Sequence, residues 1–91
     1  MPRFNTHLTP NPNSLKITTD AGDFIESGME SFSTVEEAAR HPLGKLLFAI
    51  RGMANIFVLP QFVTITKTPS ADWDEMLPLV DRALDAYFEN R

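Results

Sequence analysis

Between two short stretches that alternate strictly lies the segment Pro10-Asn11-Pro12-Asn13, and this arrangement constrains the chain more than any other. Phe4, Thr6 and Leu8 alternate with Asn5 and His7, and Leu15, Ile17 and Thr19 alternate with Lys16 and Thr18, the period of two expected of half-buried strands. Proline fixes φ and lacks a donor, while asparagine tolerates turn conformations and bonds its own backbone, so the intervening segment has to reverse the chain. A hairpin follows.

A second hairpin is expected where Ile56 to Leu59 and Phe62 to Lys67, rich in β-branched and aromatic residues, flank Pro60-Gln61. Whether its loop has two residues or four, Val58 lies opposite Val63 and Ile56 opposite Ile65, which gathers four aliphatic side chains on one face. The other face then carries Phe57, Leu59, Phe62, Thr64 and Thr66, with its apolar members at the turn end.

Helices occupy much of the rest. Ser33 and Glu36 have capping-box spacing and predict a short helix through Arg40. Pro42 suits the first position of a new helix, with Leu43, Leu46, Leu47 and Ile50 at i, i+3, i+4, i+7 and Gly52 placed to end it. Asp72 and Glu75 repeat the cap spacing before a stripe of Trp73, Met76, Leu77, Val80, Leu84 and Phe88, interrupted by Pro78, which should bend the first turns or delay the start. Ala21 to Phe32 has no period, and a short extra strand or a folded-over loop both fit it. The expected fold is therefore α+β, a two-layer sandwich of a mainly antiparallel four-stranded sheet with helices on one face, in the order β-β-α-β-β-α. At 91 residues it forms one domain, 1-91.

Composition removes several functions. No cysteine is present, which excludes disulfides, a thiolate nucleophile and sulfur-ligated metal or cluster sites. A net charge of −4 and a pI near 4.9 oppose a phosphate backbone, so no nucleic-acid partner is expected. The longest apolar runs, Leu46 to Ile50 and Ile56 to Leu59, fall far short of the roughly 20 residues that span a bilayer. Met1 to Thr9 has no signal or transit pattern, and a cytoplasmic chain without a membrane partner is expected.

Nothing nominates a catalyst. His7 and His41 are far apart and have no zinc-helix spacing; the first is expected on the solvent face of its strand and the second simply before a helix. Asp72, Asp74 and Glu75 suit the positive end of a helix dipole better than general acid-base work. Gly22, Gly28, Gly44 and Gly52 are too scattered to cradle phosphate. Trp73, Tyr87 and Phe88 read as core at helical spacing. Only Phe57, Leu59 and Phe62 stand apart, because either the Ala21 to Phe32 segment or another molecule has to cover them.

The residues Thr9-Pro10-Asn11-Pro12-Asn13-Ser14-Leu15-Lys16, Pro42-Leu43 with Leu47-Phe48-Ile50-Gly52, Ile56-Phe57, Phe62-Val63-Thr64-Ile65-Thr66-Lys67 and Trp73 together form a signature. Over nearly its whole length the chain resembles the amino-terminal domain of Nfu/NifU-type iron-sulfur cluster scaffold proteins, departing from it at His41, Leu59 and Gln61. In that family a separate carboxy-terminal domain holds the cluster through a Cys-x-x-Cys pair, and iron binding is sometimes attached to the amino-terminal domain as well. The resemblance implies a stand-alone, non-enzymatic module of cluster assembly or delivery. Such a module holds no cofactor itself and meets iron or an iron-sulfur cluster only through a scaffold, donor or acceptor protein, as a monomer or weak homo-oligomer. The expected contact residues are Pro10, Asn11, Pro12 and Asn13 with Phe57, Leu59 and Phe62. A rival expectation is a small ligand-binding domain or enzyme with a site between the sheet and the Ala21 to Phe32 segment, using Asp23, Glu26 or Lys67.

Overall fold

A computed structural model describes residues 4–90; the ends of the expected domain, 1–3 and 91, lie outside the described residues. The elements are β1 (Phe4–Leu8), β2 (Ser14–Thr19), β3 (Glu30–Phe32), α1 (Val35–Ala38), α2 (Pro42–Phe48), β4 (Met53–Val58), β5 (Val63–Lys67) and α3 (Trp73–Glu89). They build one antiparallel sheet in the order β1-β2-β5-β4-β3. Both expected hairpins form, and β2 pairs with β5 to join them. Val58 faces Val63 and Ile56 faces Ile65, and all four side chains are fully buried, as the turn register requires. Leu43 and Leu47 of α2 and Met76, Val80 and Leu84 of α3 join them in one core, so the helices cover this face of the sheet.

The sheet has five strands where four were expected, because the segment without a period supplies β3. Phe24 and Ile25 turn into the core, the Phe24 amide donates to the Pro60 carbonyl at 2.9 Å, and the Tyr87 hydroxyl donates to the Phe24 carbonyl at 2.6 Å. Gly28, at φ +74, then reverses the chain with a conformation that L side chains rarely adopt, and Glu30–Phe32 pairs with β4.

Local signals are shifted rather than absent. The cap of α1 is Thr34, not Ser33: its hydroxyl accepts from the Glu37 amide at 3.1 Å while Glu37, not Glu36, accepts from the Ser33 amide at 2.7 Å. This phase turns Ala38 inward and ends the helix there, short of Arg40. His41 does more than precede α2, since its Nδ1 accepts the Leu43 amide at 3.1 Å and caps the helix that Pro42 opens. Leu46 lies at the rim of the apolar face, and α2 ends at Phe48, before Gly52. Asp72 caps α3 by accepting from the Asp74 amide, and the helix runs unbroken through Pro78. A proline there deletes only the bond to the Asp74 carbonyl, and the packing of Met76, Val80 and Leu84 holds the turn on both sides.

β1 departs from its expected half-burial: Phe4 is half-buried, the rest is exposed, and Leu8 is 91% accessible. The strand lies at the sheet edge, where Phe88 reaches Phe4, with ring centroids 5.8 Å apart.

Candidate partner-contact site

Because opposed residues of an antiparallel pair share a face, the register assigns the uncovered side of the sheet residue by residue. Asn5 and His7 of β1, Lys16 and Thr18 of β2, Thr64 and Thr66 of β5, Asn55 and Phe57 of β4 and Ser31 of β3 lie there. Leu59 and Phe62 continue this face at the turn, where the Leu59 amide donates to the Phe62 carbonyl at 2.9 Å. Phe57, Leu59 and Phe62 are half-buried, and the Lys16 ammonium stands 4.5 Å from the centre of the Phe62 ring. None of the twelve carboxylates of the chain occupies these positions; Glu30 pairs with Val58 and so belongs to the opposite side. An acidic protein thus places aromatic and aliphatic side chains and a cation at the strand positions of one sheet face. Phe24 and Ile25, which could have covered this patch, pack with the helices instead.

The Pro10–Asn13 loop lies at the other end of β5. Asn13 accepts from the Lys67 ammonium at 3.0 Å through Oδ1 and from the Lys67 amide at 2.8 Å through its carbonyl. Asn11 Oδ1 accepts from the Asn13 amide at 2.9 Å, and the Thr9 hydroxyl donates to the Asn11 carbonyl at 2.8 Å. Trp73 Nε1 donates to the Pro12 carbonyl at 3.2 Å. Much of the hydrogen-bonding capacity of the loop is therefore used to hold its shape, while Pro10 and Pro12 stay exposed. From Lys67 to Phe62 the strand covers about 15 Å, so the loop and the apolar patch are two corners of one sheet rather than one cluster. Lys16 was not among the expected contact residues. Its place beside Phe62 depends on β2 lying next to β5, which neither hairpin encodes alone.

Of the rival residues, Lys67 and Glu26 are not brought together. Lys67 is engaged by Asn13 and lies 5.9 Å from the centre of the Trp73 ring, whereas Glu26 lines a groove with Glu30, His41 and Tyr87 that Lys67 does not reach. Asp72, Asp74 and Glu75 sit at the start of α3. Further along that helix, burial and then the neighbouring Asp85 carboxylate raise the Asp81 pKa above its ordinary value.

The family model for the scaffold protein Nfu/NifU N-terminal domain matches residues 4–91. The chain belongs to the Nfu/NifU N-terminal family. It is 36% identical over 84 residues to the human mitochondrial NFU1 iron-sulfur cluster scaffold homolog, an alignment covering 91% of this chain and 33% of that protein. It is 37% identical over 73 residues to the mitochondrial NifU-like protein 5 of Arabidopsis thaliana, covering 80% of this chain and 26% of that one. The chain thus spans about a third or less of the length of these relatives. Its fold is similar to that of a Staphylococcus aureus protein determined by crystallography, with a TM-score of 0.75 at 22% identity over 88% of this chain and 94% of that one. A NifU-like protein from Saccharomyces cerevisiae, solved by NMR, gives a TM-score of 0.74 at 21% identity over 92% of this chain and 76% of that one.

The donor set of this Nfu-family chain does not fit an iron-sulfur cluster. It has no thiolate to offer, His7 Nε2 is shared with the Thr18 hydroxyl at 2.9 Å, and His41 Nδ1 is taken by the helix cap. Among the described residues no group of three or more His, Asp or Glu stands close enough to hold a metal ion. No described helix is long and apolar enough to cross a membrane.

Proposed function

We propose that this chain is a single domain over residues 1–91 that acts as a non-enzymatic protein-contact module in iron-sulfur cluster assembly or delivery. Its open sheet face receives a cysteine-bearing scaffold, donor or acceptor protein, and iron or a cluster reaches it only through that partner. The observation that carries this reading is the half-buried patch of Phe57, Leu59 and Phe62 with Lys16, left uncovered by helices that bury the opposite face. Contiguous half-buried aromatic and aliphatic groups are the composition of contact centres, and the Lys16 ammonium gives this patch a positive charge to set against an acidic partner. A partner laid along β5 would reach from this patch to the exposed prolines of the Pro10–Asn13 loop.

The test is an NMR titration of the labelled domain with a cysteine-bearing Nfu-type scaffold, under reducing, anaerobic conditions. Amide shifts should map to β4, β5 and Lys16. Replacing Phe57 and Leu59 with Ser should weaken binding by roughly tenfold or more while unfolding stays cooperative. Shifts confined to the helical face, or unchanged affinity in a folded double variant, would overturn the reading.

A further inference from the structure

β1 is an edge strand, and the direction of its unused backbone groups follows from its neighbours. The Lys67 amide donates to the Asn13 carbonyl, so Asn13, and by alternation Leu15 and Ile17, turn their N–H and C=O toward β5. Those of Ser14, Lys16 and Thr18 then face β1, where the register matches Lys16 with His7 and Thr18 with Asn5. Phe4, Thr6 and Leu8 are left with N–H and C=O groups aimed outward, away from the sheet.

Such an edge is a template for another strand unless charge, proline or a bulge blunts it. β1 has none of these: its five residues are Phe, Asn, Thr, His and Leu, and its register with β2 is unbroken. The sequence also has the same character in both directions, apolar, polar, Thr, polar, apolar. An antiparallel pair about a two-fold axis sets residue i against j and j against i, so a strand of this character meets itself with apolar against apolar and polar against polar.

We propose that two copies of this chain pair through β1, antiparallel about a two-fold axis at Thr6. In this register Thr6 exchanges both backbone hydrogen bonds with Thr6 of the second copy, and Phe4 does the same with Leu8 of the second copy. The axis uses every outward group of the strand, and displacing it leaves some unpaired. Phe4 and Leu8 share the helix-covered side, so the 91% exposed Leu8 of one copy comes to lie against Phe4 of the other, which already packs on Phe88. Asn5 meets His7 on the open side. The dimer extends the sheet sideways and leaves the Lys16 and Phe62 patch uncovered, so it is independent of the partner contact proposed above.

One strand pair buries less than the ~1,200 Å² of a standard interface, so a weak, reversible dimer is expected. Since each copy carries a charge of −4, association should tighten as salt screens the repulsion. Sedimentation velocity across a concentration series that reaches the millimolar range checks this. Thr6→Pro removes an outward N–H and none of the bonds to β2, so it should leave unfolding cooperative and weaken dimerisation about tenfold or more. Leu8→Lys, at an exposed position, should weaken it as well and serves if the proline variant fails to fold. Because the chain has no cysteine, Thr6→Cys reports the register directly: it should form a disulfide-linked dimer under mild oxidation, faster than Asp74→Cys on exposed α3. A chain that stays monomeric throughout the series, a dimer unaffected by the folded variants, or equal cross-linking at both cysteines overturns the proposal.

Discussion

The indole N–H of Trp73, the first residue of α3, donates to the Pro12 carbonyl at 3.2 Å and so fastens the last helix to the loop between the first two strands. Lys67 lies beside it, with its ammonium bonded to Asn13 and 5.9 Å from the centre of the indole ring. Thr9 to Asn13, Lys67 and Trp73 are distant in sequence, yet they form one corner of the molecule.

Trp73→Phe keeps an aromatic ring near Lys67 but removes the donor together with part of the indole's packing on the core. The loss expected is at least about 1 kcal/mol, the usual net worth of one such bond at a partly exposed site. Urea unfolding followed by circular dichroism measures it, and amide exchange should quicken in the Pro10–Asn13 loop first. An unchanged midpoint would mean that the loop holds its shape without α3.

This corner explains what was legible in the sequence and what was not. The Pro10–Asn13 turn and the Val58/Val63 register could be read locally, because a turn and a period of two determine both. The long-range bonds from Lys67 and Trp73 have no local signal. The same holds for Ala21 to Phe32, whose course rests on Phe24 bonding to Pro60 and to Tyr87, 63 residues away. Leu8 follows an alternating pattern but is exposed, because alternation gives the face of a strand and not its place in the sheet. Of the proposed contact surface, the place of Phe57, Leu59 and Phe62 on the open side of the sheet was legible from the same alternation. The contribution of Lys16 and the separation of this patch from the Pro10–Asn13 loop both depend on the pairing of β2 with β5.

Gly44 allows α2 to pack closely on the chain before it. A Cβ at this position would lie 2.9 Å from the Ala38 carbonyl oxygen and 2.9 Å from the Phe32 ring, and both Ala38 and Phe32 are buried. Alanine normally favours a helix, yet here overpacking should dominate, and Gly44→Ala is expected to destabilise by roughly 1–3 kcal/mol. Thermal unfolding reads the sign; a stabilised variant would show that α1 can move aside.

Asp81 and Asp85 stand one turn apart on α3, and one Asp85 carboxylate oxygen is buried without a hydrogen-bond partner. Burial first, and repulsion from Asp85 second, raise the Asp81 pKa, so the folded chain holds this proton more tightly than the unfolded chain does. Ionised Asp81 therefore destabilises the fold at neutral pH, and this cost disappears as pH falls through the raised value and below the unfolded value of 3.8. Asp81→Asn should gain about 0.2–0.5 kcal/mol at pH 7, the scale of a like-charge pair at this spacing, and nothing under strongly acid conditions. Urea midpoints at the two pH values check the sign, and an equal gain at both would assign the effect to packing.

The Tyr87 hydroxyl donates to the Phe24 carbonyl at 2.6 Å in the core and joins α3 to the segment that leads into β3. Phe24 also packs edge-on against Phe88, with centroids 5.5 Å apart, so apolar contact persists when the hydroxyl is removed. Tyr87→Phe thus leaves the ring in place and strands a buried carbonyl, which costs about 1–3 kcal/mol. If Phe24 is held chiefly by this bond, the loss should be local: amide exchange should quicken across residues 21–32 and in β3, while the β2–β5 pairing at the sheet centre keeps its protection. A uniform loss of protection throughout the sheet would instead make this segment part of the cooperative core, and the Phe57 patch would then weaken with it.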